Sequence, residues 1–88
     1  EQLGSRTFIT IRSQDVSGEE VDILMNLQQL ELGELKENLK EIIQNNPNAS
    51  ICLRIDRHAK NRHVKSIMEA CAESGVSDVI FATYEAGP

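Results

Sequence analysis

Ser50-Ile51-Cys52-Leu53-Arg54-Ile55-Asp56 is the stretch on which the reading of this chain turns. Ile51, Leu53 and Ile55 fall on one side of an extended backbone, and Cys52, Arg54 and Asp56 on the other. Such alternation describes a half-buried strand with one face against helices. Both flanks supply a helix. Upstream, Leu35, Leu39, Ile42 and Ile43 recur at i, i+4, i+7 and i+8 as a single apolar stripe, with Glu34 and Glu37 in the early turns where the helix dipole favours acids. Leu30 is placed to staple against Leu35, although no capping residue stands out. Asn45-Asn46-Pro47 ends that helix, because a residue before proline is pushed out of the α region. Downstream, from about Asn61, Val64, Ile67, Met68 and Cys71 repeat at helical spacing, and Gly75 sits where a left-handed cap belongs. Asp78-Val79-Ile80-Phe81-Ala82-Thr83 then reads as a strand apolar on both faces, which predicts a central position in the sheet.

Further from the decisive stretch, Arg6-Thr7-Phe8-Ile9-Thr10-Ile11-Arg12 is rich in β-branched residues and reads as a first strand. Thr7, Ile9 and Ile11 share one face; Phe8, Thr10 and Arg12 share the other. Residues 13–22 are polar, contain Ser17-Gly18, and read as a loop, and Ile23-Leu24-Met25-Asn26-Leu27 reads as a second strand. The expected order is β-β-α-β-α-β. This is an α+β domain with a mixed sheet of four to five strands and two helices on one face. Strands joined through helices must cross over, so the strands flanking each helix are expected to be parallel. The opposite face is left partly uncovered, where a second copy can pack. The expected boundaries are a linker remnant over 1–5, the domain over 6–84 and a tail over 85–88, since 88 residues suffice for one domain only.

Composition narrows the function. Aromatics are 3% with no Trp, so the core is aliphatic and the stacking platforms of single-strand nucleic-acid binders are missing. A net charge of −5 repels phosphate backbones, and no nucleic-acid partner is expected. The charge is polarised: residues 54–65 hold five of the nine Lys and Arg, whereas residues 15–41 hold eight of the fourteen acids against two lysines. No apolar run approaches the ~18 residues of a membrane span. The two cysteines, Cys52 and Cys71, are too few for a disulfide scaffold and lie on different faces, so no bond between them is expected. No nucleophile–base pairing, Gly-rich phosphate loop or metal-ligand spacing is present, so no catalytic residue, cofactor or metal is assigned.

Three segments taken in order are similar to one known family. They are Asn48-Ala49-Ser50-Ile51-Cys52-Leu53-Arg54-Ile55-Asp56, then Val64-Lys65-Ser66-Ile67-Met68-Glu69-Ala70, then Glu73-Ser74-Gly75-Val76-Ser77-Asp78-Val79. They resemble the C-terminal half of the ExbD/TolR family of biopolymer-transport proteins: a strand of the form Ile-x-Leu-Arg-x-Asp, a helix, and a Gly-Val-x-x-Val turn into the last strand. Ile51, Leu53, Arg54, Asp56, Gly75, Val76 and Val79 carry the match, and with the helix of Leu35 and Leu39 the likeness spans roughly residues 23–83. The chain departs from the family over Arg57-His58-Ala59-Lys60-Asn61-Arg62-His63, where members often have an Asp-Val-Pro-Tyr-Gly-like bend, and so reads as a divergent member. The resemblance implies a homodimeric periplasmic domain of a single-span bacterial inner-membrane protein. It also implies an ExbB/TolQ-like partner engaged through a transmembrane helix, a TonB-like or TolA-like protein or peptidoglycan as the outer contact, and a role in work driven by the proton motive force.

Arg54, Asp56, Arg57, Lys60, Arg62 and Lys65 are the candidate partner-binding residues. Several cations acting together can hold the carboxylates of peptidoglycan or of an acidic partner. The plainer alternatives are solvated charges, pairing with the acidic segment of the same chain, and a structural Arg54–Asp56 pair, because isolated surface ion pairs are worth only ~0–1 kcal/mol. A passive cell-wall anchor and a cytosolic regulatory module remain as rival functions.

Overall fold

The computed structural model describes residues 6–85. Seven elements follow one another: β1 (Arg6–Ser13), β2 (Val21–Met25), β3 (Gln28–Leu30), α1 (Leu32–Asn45), β4 (Ser50–Asp56), α2 (Asn61–Glu73) and β5 (Asp78–Tyr84). The strands form one mixed sheet in the order β3-β2-β1-β4-β5. β2 runs antiparallel to β1 and to β3, while β4 lies between β1 and β5 and is parallel to both. Arg6, Ser50 and Asp78 are in register at one end of the parallel trio, and Asp56 aligns with Tyr84 at the other.

The alternation in β4 orders the molecule. Ile51, Leu53 and Ile55 join Ile9 and Ile11 of β1 and Met25 of β2 in one cluster, closed by Leu35 and Leu39 of α1 and Ile67, Ala70 and Cys71 of α2. Ile9, Ile11, Leu35, Leu39, Ile51 and Leu53 are fully buried, and a side chain of this size contributes about 1.5–3 kcal/mol when taken from water. Both helices therefore cover one face of the sheet. Cys52 lies on the uncovered face and Cys71 on the inner face of α2; both are free thiols. Alkylation under denaturing, non-reducing conditions is expected to label two thiols per chain; a mass two hydrogens lighter and unreactive would mean a Cys52–Cys71 bond and a wrong face assignment.

Several local expectations shift. β3 is an added strand, in a segment read from the sequence only as a lead into Leu30. β2 begins two residues earlier than its apolar run, and β1 reaches Ser13. The start of α1 is a reciprocal box: the Glu34 carboxylate accepts the Glu31 N–H at 2.9 Å, and the Glu31 side chain receives the N–H of Glu34. Gly75 has the left-handed conformation expected of it, with φ 87°. Met68, placed by spacing on the buried stripe of α2, is 39% exposed, whereas Ala70 is buried. The linker assigned to residues 1–5 lies outside the described residues, as does the tail beyond Glu85.

The largest correction concerns β5. Its two apolar faces predict a central strand, yet among the described residues it is an edge strand paired only to β4. Ile80 is 42% exposed on the uncovered face and Phe81 49% exposed on the helix side. The pattern that usually marks a strand covered on both sides here marks an apolar edge with no partner strand among the described residues.

The β2–β3 hairpin turns through two residues, Asn26 at φ 51° and Leu27 at φ 77°. Positive φ at both central positions is what a type I′ turn requires, and Asn-Gly is its usual content. Leu27 occupies the glycine position at a cost of about 1–2 kcal/mol.

Candidate functional site

Three segments meet at the C-terminal end of β4: residues 14–20, the connector 57–60, and the first turn of α2. Asp56 anchors them. Its side chain is 1% exposed, and it accepts hydrogen bonds from the N–H of Ser13 at 3.0 Å, the N–H of His58 at 3.0 Å and Nδ1 of His58 at 3.0 Å. Burial alone raises a carboxyl pKa, but the donors from His58 and Ser13 outweigh it and hold Asp56 below its ordinary value. The carboxylate thus ties the end of β1 to the connector rather than pairing with Arg54.

Glu19 is the second anchor. Its carboxylate lies 2.8 Å from Arg62 and 3.8 Å from Lys60, and its carbonyl accepts from Arg62 at 2.9 Å and from Nε2 of His63 at 2.7 Å. The hydrogen bond and charge of Arg62, aided by Lys60, keep the Glu19 carboxyl below the usual range. The carbonyl of Gly18 accepts the Lys60 N–H at 3.2 Å. Gly18 has φ 71°, and a Cβ there would overlap the His58 carbonyl oxygen, so the residue is glycine for both backbone shape and contact.

The six residues singled out from the sequence are therefore distributed unevenly. Lys60 and Arg62 converge on Glu19, and Arg57 meets Glu85 at 3.2 Å while its N–H bonds the Tyr84 carbonyl at 2.8 Å. Asp56 is buried beneath them. Arg54 is exposed on the uncovered sheet face and Lys65 on the outside of α2, and neither has an ion pair among the described residues. The basic stretch and part of the acidic stretch close on one another within the chain through Lys60, Arg62 and His63 on Glu19, while His58 donates to Asp56 within the basic stretch. Among the described residues no group of three or more His, Cys, Asp or Glu is placed to hold a metal ion.

What remains accessible is the apolar edge of β5 and the uncovered face. On that face Phe8, Cys52 and Ile80 lie in one row across β1, β4 and β5, with Arg54 in the next row beside Thr10 and Ala82. The exposure of Ile80 and Phe81 went unread in the sequence, because β5 was expected to be central, whereas Phe8 was already placed on the face of Thr10 and Arg12.

The chain is thus a five-stranded mixed sheet with helices on one face and an apolar edge strand, and part of its basic stretch is paired with Glu19 and Glu85. The model of the biopolymer transport protein family ExbD/TolR matches residues 5–86, and the chain belongs to that family. The family is inner-membrane associated, transport-related rather than enzymatic, and works with ExbB/TolQ and TonB/TolA partners. No curated protein matches the chain. None of the described helices is long and apolar enough to cross a membrane.

Proposed function

We propose that this chain is the extracytoplasmic dimerisation and partner-binding domain of an ExbD/TolR-like subunit, in a transport or envelope motor driven by the proton motive force. It lies in the periplasm, catalyses nothing itself, and leaves the membrane partner of the ExbB/TolQ kind to a transmembrane helix of the parent protein. The observation that carries this reading is the open edge of β5. An unpaired strand edge offers main-chain hydrogen bonds to an added strand, and alternating side chains set its register. Phe81 and Ile80 flank that edge and supply apolar contact on both sides. The added strand comes from a second copy or from a TonB-like or TolA-like protein. Of the six candidate residues, Arg57 lies at the end of β5 through Glu85 and the Tyr84 carbonyl, Lys60 and Arg62 are held by Glu19, Asp56 is buried, and Arg54 and Lys65 have no ion pair among the described residues.

Sedimentation at micromolar concentration is expected to show a dimer, with the β5 amides protected from hydrogen exchange. Phe81→Asp is expected to give a folded monomer, because the side chain is half exposed and a charge on an edge strand opposes pairing. A strict monomer with fast-exchanging β5 amides, indifferent to TonB-like and TolA-like segments, would sink the proposal.

A further inference from the structure

Leu27 combines two unfavourable properties at one position. It is 91% exposed and its φ is 77°, so it gains no packing inside the fold and sits where glycine would be at ease. Strain and apolar exposure at one residue point to a side chain used outside the fold.

The surroundings indicate the use. Leu27, Phe8, Thr10, Asn26 and Arg54 line a half-open cavity of about 280 Å³ on the uncovered sheet face. The groove is held in shape by Asn26, whose N–H donates to the Phe8 carbonyl at 3.0 Å and whose Oδ1 accepts the Phe8 N–H at 3.3 Å. Phe8 is 42% exposed, and the apolar floor runs on through Cys52 to Ile80. Among the described residues Arg54 is the only charged one in the lining, and it has no ion pair there. An apolar groove bordered by one free guanidinium complements a carboxylate carried beside an apolar side chain. In a symmetric contact the same patch lies on both copies, so a second copy would offer this groove Arg54 and no acid from that lining.

We propose that this groove binds an acidic peptide segment, with an apolar side chain of the peptide against Phe8 and Leu27 and a neighbouring carboxylate on the Arg54 guanidinium. The site is distinct from the β5 edge and does not depend on strand addition there.

A random heptapeptide library selected on the 88-residue chain tests it, followed by fluorescence anisotropy of the recovered peptides at low and high salt. The expected consensus places Asp or Glu next to Leu, Ile or Phe, and binding weakens with salt. Arg54→Glu is expected to lose at least tenfold in affinity. Leu27→Gly is expected to lose at least tenfold while raising the thermal midpoint, since glycine relieves the turn; loss of binding therefore cannot be put down to unfolding. A basic consensus, or peptides retained by both variants, would overturn the proposal. So would a dimer of the wild-type chain that both variants dissociate, which would make the groove an interface between copies. Soluble muropeptides bound in place of peptides, and lost in the same variants, would overturn it in favour of a cell-wall ligand.

Discussion

Gly18→Ala is expected to destabilise the domain by about 3 kcal/mol or more, the range reached when a substitution forces both backbone strain and steric overlap. The added methyl would meet the His58 carbonyl oxygen, and an L-residue at φ 71° carries strain of its own. Relief requires residues 14–20 to lift from α2, which breaks the Lys60 N–H bond to the Gly18 carbonyl and draws Glu19 away from Arg62, Lys60 and His63. Urea titration followed by circular dichroism measures the loss, and hydrogen exchange at the Lys60 amide reports the lifting directly. A midpoint within error of wild type would show that this contact is not held in solution.

Asp56→Ala is expected to cost roughly 3 kcal/mol, because two backbone N–H groups, those of Ser13 and His58, lose their acceptor at a buried position. The loss carries a pH signature. The folded-state pKa of Asp56 is depressed, so its stabilising contribution is complete above the unfolded value near ~3.9 and disappears as pH falls through the lower folded value. Wild-type stability should therefore decline as pH is lowered from about 4, and Asp56→Ala should show a shallower decline over that window. Equal slopes for the two proteins would mean that the carboxylate is not held in this network.

The parts of the fold that follow from side-chain period were legible in the sequence, and for a physical reason: Ile51, Leu53 and Ile55 leave β4 one buried face, and the stripe of Leu35 and Leu39 leaves α1 one buried side. β3 escaped because three residues carry no period, and its pairing is imposed by the turn at Asn26-Leu27. β5 was misplaced because apolar residues on both faces say that a strand avoids water without saying what covers it. At the Asp56 and Glu19 anchors the residue types were visible, and the pairing of the basic and acidic stretches stood among the alternatives. The particular partners depend on contacts spanning 43 residues in sequence, as between Ser13 and Asp56 or Glu19 and Arg62, and no local pattern encodes them. The groove at Leu27 was hidden most completely. A leucine at left-handed φ is indistinguishable in sequence from one buried in a strand, and that is how it was read.

The register of the parallel trio bears on how the domain would carry a load. Arg6 begins β1 level with Ser50 and Asp78, while Tyr84 closes β5 at the opposite end of the same three strands. Tension between those two points runs along the strand axes, so the β1–β4 and β4–β5 hydrogen bonds are sheared together instead of peeled apart one at a time. The β2–β3 hairpin, with its groove, lies off that line on the other side of β1. A pull transmitted through the domain would leave the hairpin slack.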